Sequence, residues 1–327
     1  MSGINQRKVS LAPMLDWTDR HFRYLLRLVS NNIWLYTEMV TTGAILHGNN
    51  RERFLAYSQE EQPLSLQLGG SDPGDLSRCC QIAQDYGYDE VNLNVGCPSD
   101  RVQSGQFGAC LMARPELVAE CVAAMVASVD IPISVKTRIG IDYEDHYEQL
   151  QHLVEHISQA GGRFFTIHAR KAWLEGLSPK QNREVPPLRY DFVYQLKRDF
   201  PELHITINGG IKTLTAMQKH LNHVDGVMIG REAYHNTYMM AEVDGLFYGS
   251  TEPKPERRQI INAYADYIEQ QMSQGVPLIQ LTRHVLGLMH SCPGARNFRR
   301  ILSENAWKKD MGAELLIKAA AEVDLSL

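Results

Sequence analysis

The sequence lacks the features that mark membrane, secreted and zinc-binding proteins. None of its apolar runs is long enough to span a bilayer, and no apolar segment of the signal-peptide type follows the N-terminal residues. Its six cysteines form no C-x-x-C pair and no zinc-type spacing. We therefore expect free thiols, no metal, no membrane attachment and a cytoplasmic location.

Two other features are also missing, a net positive charge and a dinucleotide-binding turn. The net charge of −5 argues against a generally basic nucleic-acid binder. The first predicted strand is followed by Ala12-Pro13-Met14-Leu15-Asp16, where an open nucleotide-binding sheet would carry G-x-G-x-x-G. The chain has 327 residues, 44% of them hydrophobic, which is enough for one large domain or two.

What the sequence does contain is a repeated alternation of strand and helix patterns. Eight short β-branched or alternating runs recur, with helical periodicity between most of them. This alternation predicts a parallel sheet, and the count favours a closed (β/α)8 TIM barrel over an open doubly wound sheet. The predicted strands cover residues 9–14, 35–40, 64–68, 90–95, 133–137, 164–168, 204–208 and 226–229.

The pattern changes near residue 249, where the strand signals stop. Residues 249–256 are rich in Pro, Gly and Ser and indicate a linker. Residues 257–327 show only helical patterns, over 257–271, 277–288, 295–303 and 314–323. We therefore predict a catalytic barrel over 1–248 and a small all-helical C-terminal domain over 257–327.

The fourth predicted strand ends in an unusual turn. Val91, Leu93 and Val95 alternate with Asn92 and Asn94, and Gly96-Cys97-Pro98 follows. Buried side-chain amides need hydrogen-bond partners, so the asparagine face indicates a polar site. A thiol just beyond the strand would lie at the mouth of the barrel, where barrel enzymes carry their chemistry. A core cysteine in an ordinary turn is the alternative.

The other predicted strand ends are also rich in polar and ionisable residues. Glycine turns after the seventh and eighth strands are typical of a phosphate site, to which Arg231 can add charge. Lys136 and His168, on neighbouring strands, suggest a flat, electron-poor cofactor across the mouth. The residues at these ends include Pro13, Met14, Glu38, Gln67, Asn94, Lys136, Arg138, His168, Arg170, Asn208, Gly209, Gly210, Gly230 and Arg231.

Two basic segments are candidates for contact with nucleic acid. The loop after the sixth strand, residues 169–187, is long and basic, contains Trp173 and ends in two prolines. In the helical tail, Arg296, Arg299 and Arg300 fall on one helix face. Such residues suit phosphate contact and base stacking, although a solvated charged helix face would look the same.

Together these residues resemble the tRNA-dihydrouridine synthases. The similarity covers nearly the whole chain, and residues 168–190 resemble the A group of that family. The most specific part of the resemblance is the segment Asn92-Leu93-Asn94-Val95-Gly96-Cys97-Pro98-Ser99. The other residues that carry it are Ala12-Pro13-Met14, Lys136, Ile167-His168-Ala169-Arg170, Asn208-Gly209-Gly210 and Gly230-Arg231.

The resemblance implies an enzyme that uses bound FMN, reduced by NADPH, to saturate the C5=C6 bond of a uridine in the tRNA D loop, at positions 20 and 20a. It implies Cys97 as the general acid, since a thiol of ordinary pKa, about 8.5, is mostly protonated at neutral pH. Asn94 would face the uracil edge, and Lys180, Arg183, Arg296 and Arg299 would contact tRNA. FMN would contact Pro13, Met14, Gln67, Lys136, His168, Asn208, Gly209, Gly210, Gly230 and Arg231.

Three other functions remain open from the residues themselves. A dihydroorotate-dehydrogenase-like FMN barrel would act on a free pyrimidine, but it would not need a helical tail with an arginine face. A non-catalytic RNA-binding barrel would not need the complete polar ring. An aldolase would use Lys136 as a Schiff-base amine. The sequence leaves the oligomeric state undetermined, and a monomer is expected for a tRNA binder of this size.

Overall fold

The computed structural model describes residues 7–99 and 105–324. Within these ranges the chain forms two compact units. Of the described residues, the first unit comprises 7–15, 34–57, 62–99 and 105–229, and the second comprises 16–33, 58–61 and 230–324. Among the described residues, no helix combines the length and the apolar character needed to cross a membrane.

The first unit is an eight-stranded parallel barrel, as the sequence predicts. All neighbouring strands pair in parallel in the order β1-β8-β7-β6-β5-β4-β3-β2. Between β1 and β2 the ring is closed by a bridge from Ser10 to Trp34 and by the bond from Leu11 N–H to Trp34 O, 2.9 Å. The strands are β1 Val9–Leu11, β2 Leu35–Thr41, β3 Leu64–Gly69, β4 Glu90–Val95, β5 Ile133–Arg138, β6 Phe164–His168, β7 His204–Asn208 and β8 Gly226–Ile229.

Helices of the first unit follow most strands and bury one apolar face each. In Pro115–Ser128, for example, Val118, Val122 and Met125 are fully buried. The helix Pro73–Asp85 packs against β4, and Val91, Leu93 and Val95 of this strand are completely buried. The helices are Thr42–His47, Glu52–Leu55, Pro73–Asp85, Pro115–Ser128, Tyr147–Gln159, Tyr190–Asp199 and Leu214–Leu221.

The second unit is helical and includes the helix that lies between β1 and β2 in sequence. Tyr24 of that helix stacks on Tyr267 with ring centroids 3.9 Å apart. The sequence predicts a domain division at a linker over residues 249–256, and this division stays a prediction. In the structure, the second compact unit includes residues 230–256. Its helices are Arg20–Val29, Arg231–His235, Val243–Tyr248, Arg257–Ser273, Leu278–Thr282, Ala295–Asn305 and Glu314–Ala320.

Two predicted element bounds in the first unit are wrong for local reasons. Strand β1 ends at Leu11 instead of residue 14, since Pro13 has no N–H with which to extend the ladder. Between the fifth and sixth strands the sequence predicts a helix over residues 142–159, but the helix begins at Tyr147, because residues 141–144 form a tight turn in which Asp142 has φ +47°.

In the second unit, the predicted helix over 277–288 is broken. It ends at Thr282, and a 3₁₀ turn follows over Val285–Gly287. Between the two lies His284, whose fully buried side chain bonds Asp19 Oδ2 at 3.0 Å. The break in the helix therefore coincides with a buried polar contact.

Candidate active site

The turn that carries Cys97 is built by Asn94. The side-chain oxygen of Asn94 accepts the backbone N–H groups of Gly96, at 3.1 Å, and Cys97, at 3.0 Å. Such hydrogen bonds between an asparagine side chain and the backbone that follows it form an Asx turn, which lies directly after β4. A Cβ atom on Gly96 would lie 3.2 Å from the backbone of Thr137, so the close approach favours glycine. The partly exposed thiol therefore lies at the carboxyl end of the strand, where the sequence predicts it.

Gln67 and Asn94 are joined by their side-chain amides. Asn94 Nδ2 donates to Gln67 Oε1 at 2.9 Å, and Gln67 is 1% exposed. The predicted flavin ligand Gln67 and the predicted uracil ligand Asn94 are thus each held in place by the other. Among the described residues, these bonds use one N–H of the Asn94 amide and leave the other for a ligand.

Lys136 lies in β5, in register with Asn94 of β4. The described residues give its ammonium group neither a hydrogen bond nor an ion pair. Burial, and to a lesser extent the positive charge of Arg138, lowers the pKa of Lys136 to about 8. A partly buried lysine without a partner is suited to an anionic or electron-rich ligand.

Arg138, two residues further along β5, has a structural role. Its guanidinium donates to the carbonyl oxygens of Gly96, at 2.9 Å, Lys171, at 2.9 Å, and Asn182, at 3.0 Å. It therefore ties the Cys97 turn to the long loop after β6. The sequence places Arg138 in the polar ring, but the structure shows that it connects two loops.

His168, at the end of β6, lies opposite Arg138 in the strand register. Burial and the positive charges of Arg138 and Lys136 hold the pKa of the imidazole well below its ordinary value, so the ring is neutral at pH 7. Its Nδ1 atom is buried, and the described residues offer it no hydrogen-bond partner. Since buried polar atoms are normally paired, this atom indicates a ligand position.

The turn after β7 requires glycine at two successive positions. Gly209 has φ +112° and Gly210 has φ +71°, conformations that other residues rarely adopt. A Cβ atom on Gly209 would lie 3.3 Å from His168 Nε2, and one on Gly210 would lie 2.6 Å from Leu188. The hydroxyl of Tyr190 donates to Gly209 O at 2.7 Å and holds the turn. A close backbone turn beside His168 suits a phosphate or a ring edge.

Comparisons with known proteins agree on one family. The family described as Dihydrouridine synthase (Dus) matches residues 10–324. The chain belongs to the dihydrouridine synthase family. It is 60% identical over 321 residues to a Shewanella oneidensis protein named tRNA-dihydrouridine(20/20a) synthase, with 98% of this chain and 95% of the relative covered. An Escherichia coli K12 protein of that name is 59% identical over 302 residues, covering 92% and 87%.

Solved structures confirm the fold of this dihydrouridine synthase. A 2-naphthoyl-CoA reductase complex matches with a TM-score of 0.58 and 11% identity, covering 72% of this chain and 49% of the other. An old yellow enzyme homologue from Zymomonas mobilis matches with a TM-score of 0.53 and 12% identity, covering 77% and 92%. At such identities the likeness concerns the barrel alone.

The remaining residues predicted to bind the cofactor fall in both units. Pro13 and Met14 directly follow β1 and are partly exposed, and Asn208 Nδ2 donates to Met228 O at 2.8 Å. Gly230 and Arg231 follow Ile229 in the chain but belong to the second unit. Their contact with a phosphate stays a prediction.

The long basic loop of this dihydrouridine synthase is organised around an asparagine that the sequence reasoning missed. Asn182 is fully buried, and its amide bonds Trp173 N–H at 2.7 Å, Trp173 O at 2.9 Å and Leu177 O at 3.2 Å. With the loop closed on this residue, Lys180 and Arg183 are exposed on either side of it. In the sequence, the only local indication of this role is that Asn182 lies between the basic residues Lys180 and Arg183.

An exposed aromatic residue at the rim of the barrel was also missed. Tyr143, in the loop after β5, is 82% exposed and meets the edge of Trp173 with centroids 5.1 Å apart. Lys171 lies over the same Trp173 ring at 4.4 Å and pairs with Asp145 at 2.8 Å. A large ring displayed on a braced loop is a candidate stacking surface.

In the second unit, the predicted arginine face is present on helix Ala295–Asn305. Arg296, Arg299 and Arg300 are exposed, while Phe298 and Leu302 bury the other face. Arg300 pairs with Glu304 at 3.6 Å, and no ion pair is found for Arg296 or Arg299 among the described residues. The two unneutralised guanidinium groups keep their charge available to a polyanion.

The first prediction concerns the protonation of Lys136. In the protein without a ligand, we expect Lys136 to titrate with a pKa of about 8, because burial and Arg138 disfavour its charged form. Reductive methylation with ¹³C-labelled formaldehyde and NMR would follow the dimethyl-lysine signals against pH. Lys136→Arg assigns the signal by removing it. Absence of any Lys136-dependent signal that titrates below pH 9 would contradict the prediction.

Proposed function

We propose that this dihydrouridine synthase reduces the C5=C6 bond of uridine to 5,6-dihydrouridine at positions 20 and 20a of the tRNA D loop. It uses FMN as its flavin, NADPH as the reductant and Cys97 as the proton donor. The observation that carries the proposal is near-full-length identity of about 60% to proteins named tRNA-dihydrouridine(20/20a) synthase. The position of Cys97 at the barrel mouth supports it, together with the Lys136 ammonium group and the His168 Nδ1 atom, neither of which has a partner among the described residues.

The side chains at the mouth fit a flavin. A reduced flavin bound there would supply a hydride to C6 of the uracil ring. Lys136 and the buried Nδ1 of His168 would hold the polar edge of the ring system, and the Gly209–Gly210 turn would accept the phosphate arm. Because His168 is neutral, its Nδ1 atom can donate a hydrogen bond in one tautomer and accept one in the other. Lys136 would supply the positive charge.

The protein's own residues would handle the proton and the uracil ring. As C6 gains the hydride, electron density moves towards C5 and the O4 carbonyl. Cys97 would transfer its thiol proton to C5 and recover a proton from solvent afterwards. Asn94 would present its remaining amide N–H to the uracil edge. A uridine reaches such a mouth only when it leaves the tRNA stack, as in other base-modifying enzymes.

The RNA-contacting residues are proposed from exposure and charge. Lys180 and Arg183 on the loop after β6 and Arg296 and Arg299 on the C-terminal helix would bind phosphates. These four residues give the chain local positive charge despite its net charge of −5. The protein would act as a cytoplasmic monomer. A free-pyrimidine dehydrogenase, an RNA-binding barrel and an aldolase are not supported by the family match over residues 10–324.

A visible absorption spectrum tests the proposed reaction most directly. We expect the purified protein to show a flavin band that NADPH bleaches, and that recovers without oxygen when unmodified tRNA is added. Mass spectrometry of the tRNA should show a gain of two hydrogens at the D-loop uridines. Recovery with free uracil or orotate but not with tRNA would contradict the RNA substrate, and a protein that cannot bind FMN would contradict the redox function.

The role of Cys97 is tested by its removal. Cys97→Ala should bind FMN and tRNA normally but lose about 10²- to 10⁴-fold in turnover, because no general acid remains beside C5. The matched control is Cys292→Ala, which removes a partly exposed thiol of the second unit. Single-turnover formation of dihydrouridine gives the rates. Normal turnover in Cys97→Ala would rule out the proton-donor role.

The arginine face is tested by the salt dependence of tRNA binding. Arg299→Ala should raise the KM for tRNA and reduce the slope of log Kd against log salt by about one counterion. Flavin reduction by NADPH should not change. Arg78→Ala removes an arginine that already pairs with Asp75 at 2.5 Å and serves as the control. An unchanged tRNA KM for Arg299→Ala at several salt concentrations would place this face outside the interface.

A further inference from the structure

A buried carboxylate lies inside the barrel, at the start of β4. Glu90 is fully buried, and its Oε1 accepts the hydroxyl groups of Ser65, at 2.6 Å, and Ser134, at 2.5 Å. Its other oxygen forms an ion pair with the guanidinium of Arg7. The two serines belong to β3 and β5, the strands on either side of β4. Glu90 therefore accepts two hydrogen bonds with one oxygen and pairs with a positive charge through the other.

From Ser134, hydrogen bonds continue without a break to the Cys97 turn. Asn92 Nδ2 donates to Ser134 Oγ at 2.7 Å, and Gln67 Nε2 donates to Asn92 Oδ1 at 2.7 Å. Asn94 Nδ2 then donates to Gln67 Oε1, and Asn94 Oδ1 accepts the backbone N–H of Cys97. The amide side chains of this series are at most 9% exposed. We call Glu90, Ser134, Asn92, Gln67 and Asn94 the amide chain.

The direction of the amide chain is set at its two ends. A carboxamide has nearly the same shape when its oxygen and nitrogen exchange places, so each member alone could point either way. A backbone N–H can only donate, and therefore Asn94 must show its oxygen to Cys97. An ionised carboxylate can only accept, and therefore Ser134 must donate to Glu90 and accept from Asn92. The two ends demand the same direction for every bond between them.

We propose that Glu90 is a positioning residue for the Cys97 turn. Its carboxylate, acting through Ser134, orients the amides of Asn92, Gln67 and Asn94, so that the Asn94 oxygen faces the N–H groups of the turn. The proposal extends the function proposed above, because it matters for catalysis only if Cys97 is the proton donor. The orientation of the turn itself does not depend on that function.

The barrel offers a matched pair of serines to test this. Ser65 and Ser134 are both buried, and each donates one hydrogen bond to Glu90 Oε1. Hydrogen bonds connect Ser134 through the amide chain to Cys97. Ser65 is connected to Trp34 instead, whose Nε1 donates to Ser65 Oγ at 2.8 Å. A role limited to neutralising Arg7 or filling space predicts equal effects for the two serines. A positioning role predicts an effect on Cys97 for Ser134 only.

The experiment measures the iodoacetamide alkylation of Cys97 in the purified full-length protein, resolved by peptide mass spectrometry and divided by the rate at Cys292. In Ser134→Ala we expect the relative rate at Cys97 to rise about fivefold, the factor that corresponds to one net hydrogen bond. In Ser65→Ala it should not change, although both variants should lose thermal stability. An unchanged or lower relative rate in Ser134→Ala, or an equal rise in Ser65→Ala, would overturn the proposal.

A second pair of variants separates the hydroxyl group from the volume of the side chain. Ser134→Thr keeps the hydroxyl and should stay near the parent rate, whereas Ser134→Val has the same shape without it and should match Ser134→Ala. Equal alkylation rates in the Thr and Val variants would overturn the positioning role. Dihydrouridine formation in the same proteins should show a lower kcat for Ser134→Val and an unchanged KM for tRNA. Because alkylation needs no turnover, failure of the enzyme function would not be confused with failure of the positioning role.

Discussion

The hydrogen bonds from the Asn94 side-chain oxygen to the backbone of Gly96 and Cys97 are the contact on which the site depends. They convert the end of a buried strand into a turn that presents a thiol at the barrel mouth. Their cost is that an amide must be buried inside the barrel, where an unpaired polar atom is unfavourable. The amide chain meets that requirement, since each member supplies the partner that the next one needs.

Positive charge is concentrated on β5 and β6, next to the strand that carries the Cys97 turn. Burial, together with the positive charges of Arg138, Lys136 and Arg170, holds the pKa of His168 well below its ordinary value and keeps the imidazole neutral. Arg138 satisfies its guanidinium with three loop carbonyls, so its charge is fixed in place by the fold. Lys136 has no such contacts among the described residues. Of these two cations, Arg138 is held by the fold, and Lys136 is the one available to the ligand proposed above.

Each of two loops around the barrel mouth is shaped by one polar residue, which is buried in one loop and half-buried in the other. Asn182 closes the loop after β6 on itself and leaves Lys180 and Arg183 exposed. Asp142, with φ +47°, shapes the loop after β5 and displays Tyr143 beside Trp173. In both loops, hydrogen bonds between a short polar side chain and the backbone take the place of the backbone hydrogen bonds of regular secondary structure. The exposed residues that such loops display are those best placed to meet a large substrate.

The sequence alone determined the barrel, because eight apolar strand patterns separated by helical ones leave few other ways to bury the chain. It also located Cys97, Lys136 and His168 at strand ends, since in a parallel barrel every strand ends on the same face. It did not determine the end of β1 or the start of the helix at Tyr147, where a proline and a left-handed turn override the periodicity. Only the tertiary structure decided what each polar residue contacts. The flavin contact of Gln67 stays a prediction. Gln67 and Arg138, which the sequence places in the polar ring, bond other parts of the barrel in the structure, because their hydrogen-bond partners come from strands and loops that lie far apart in the chain.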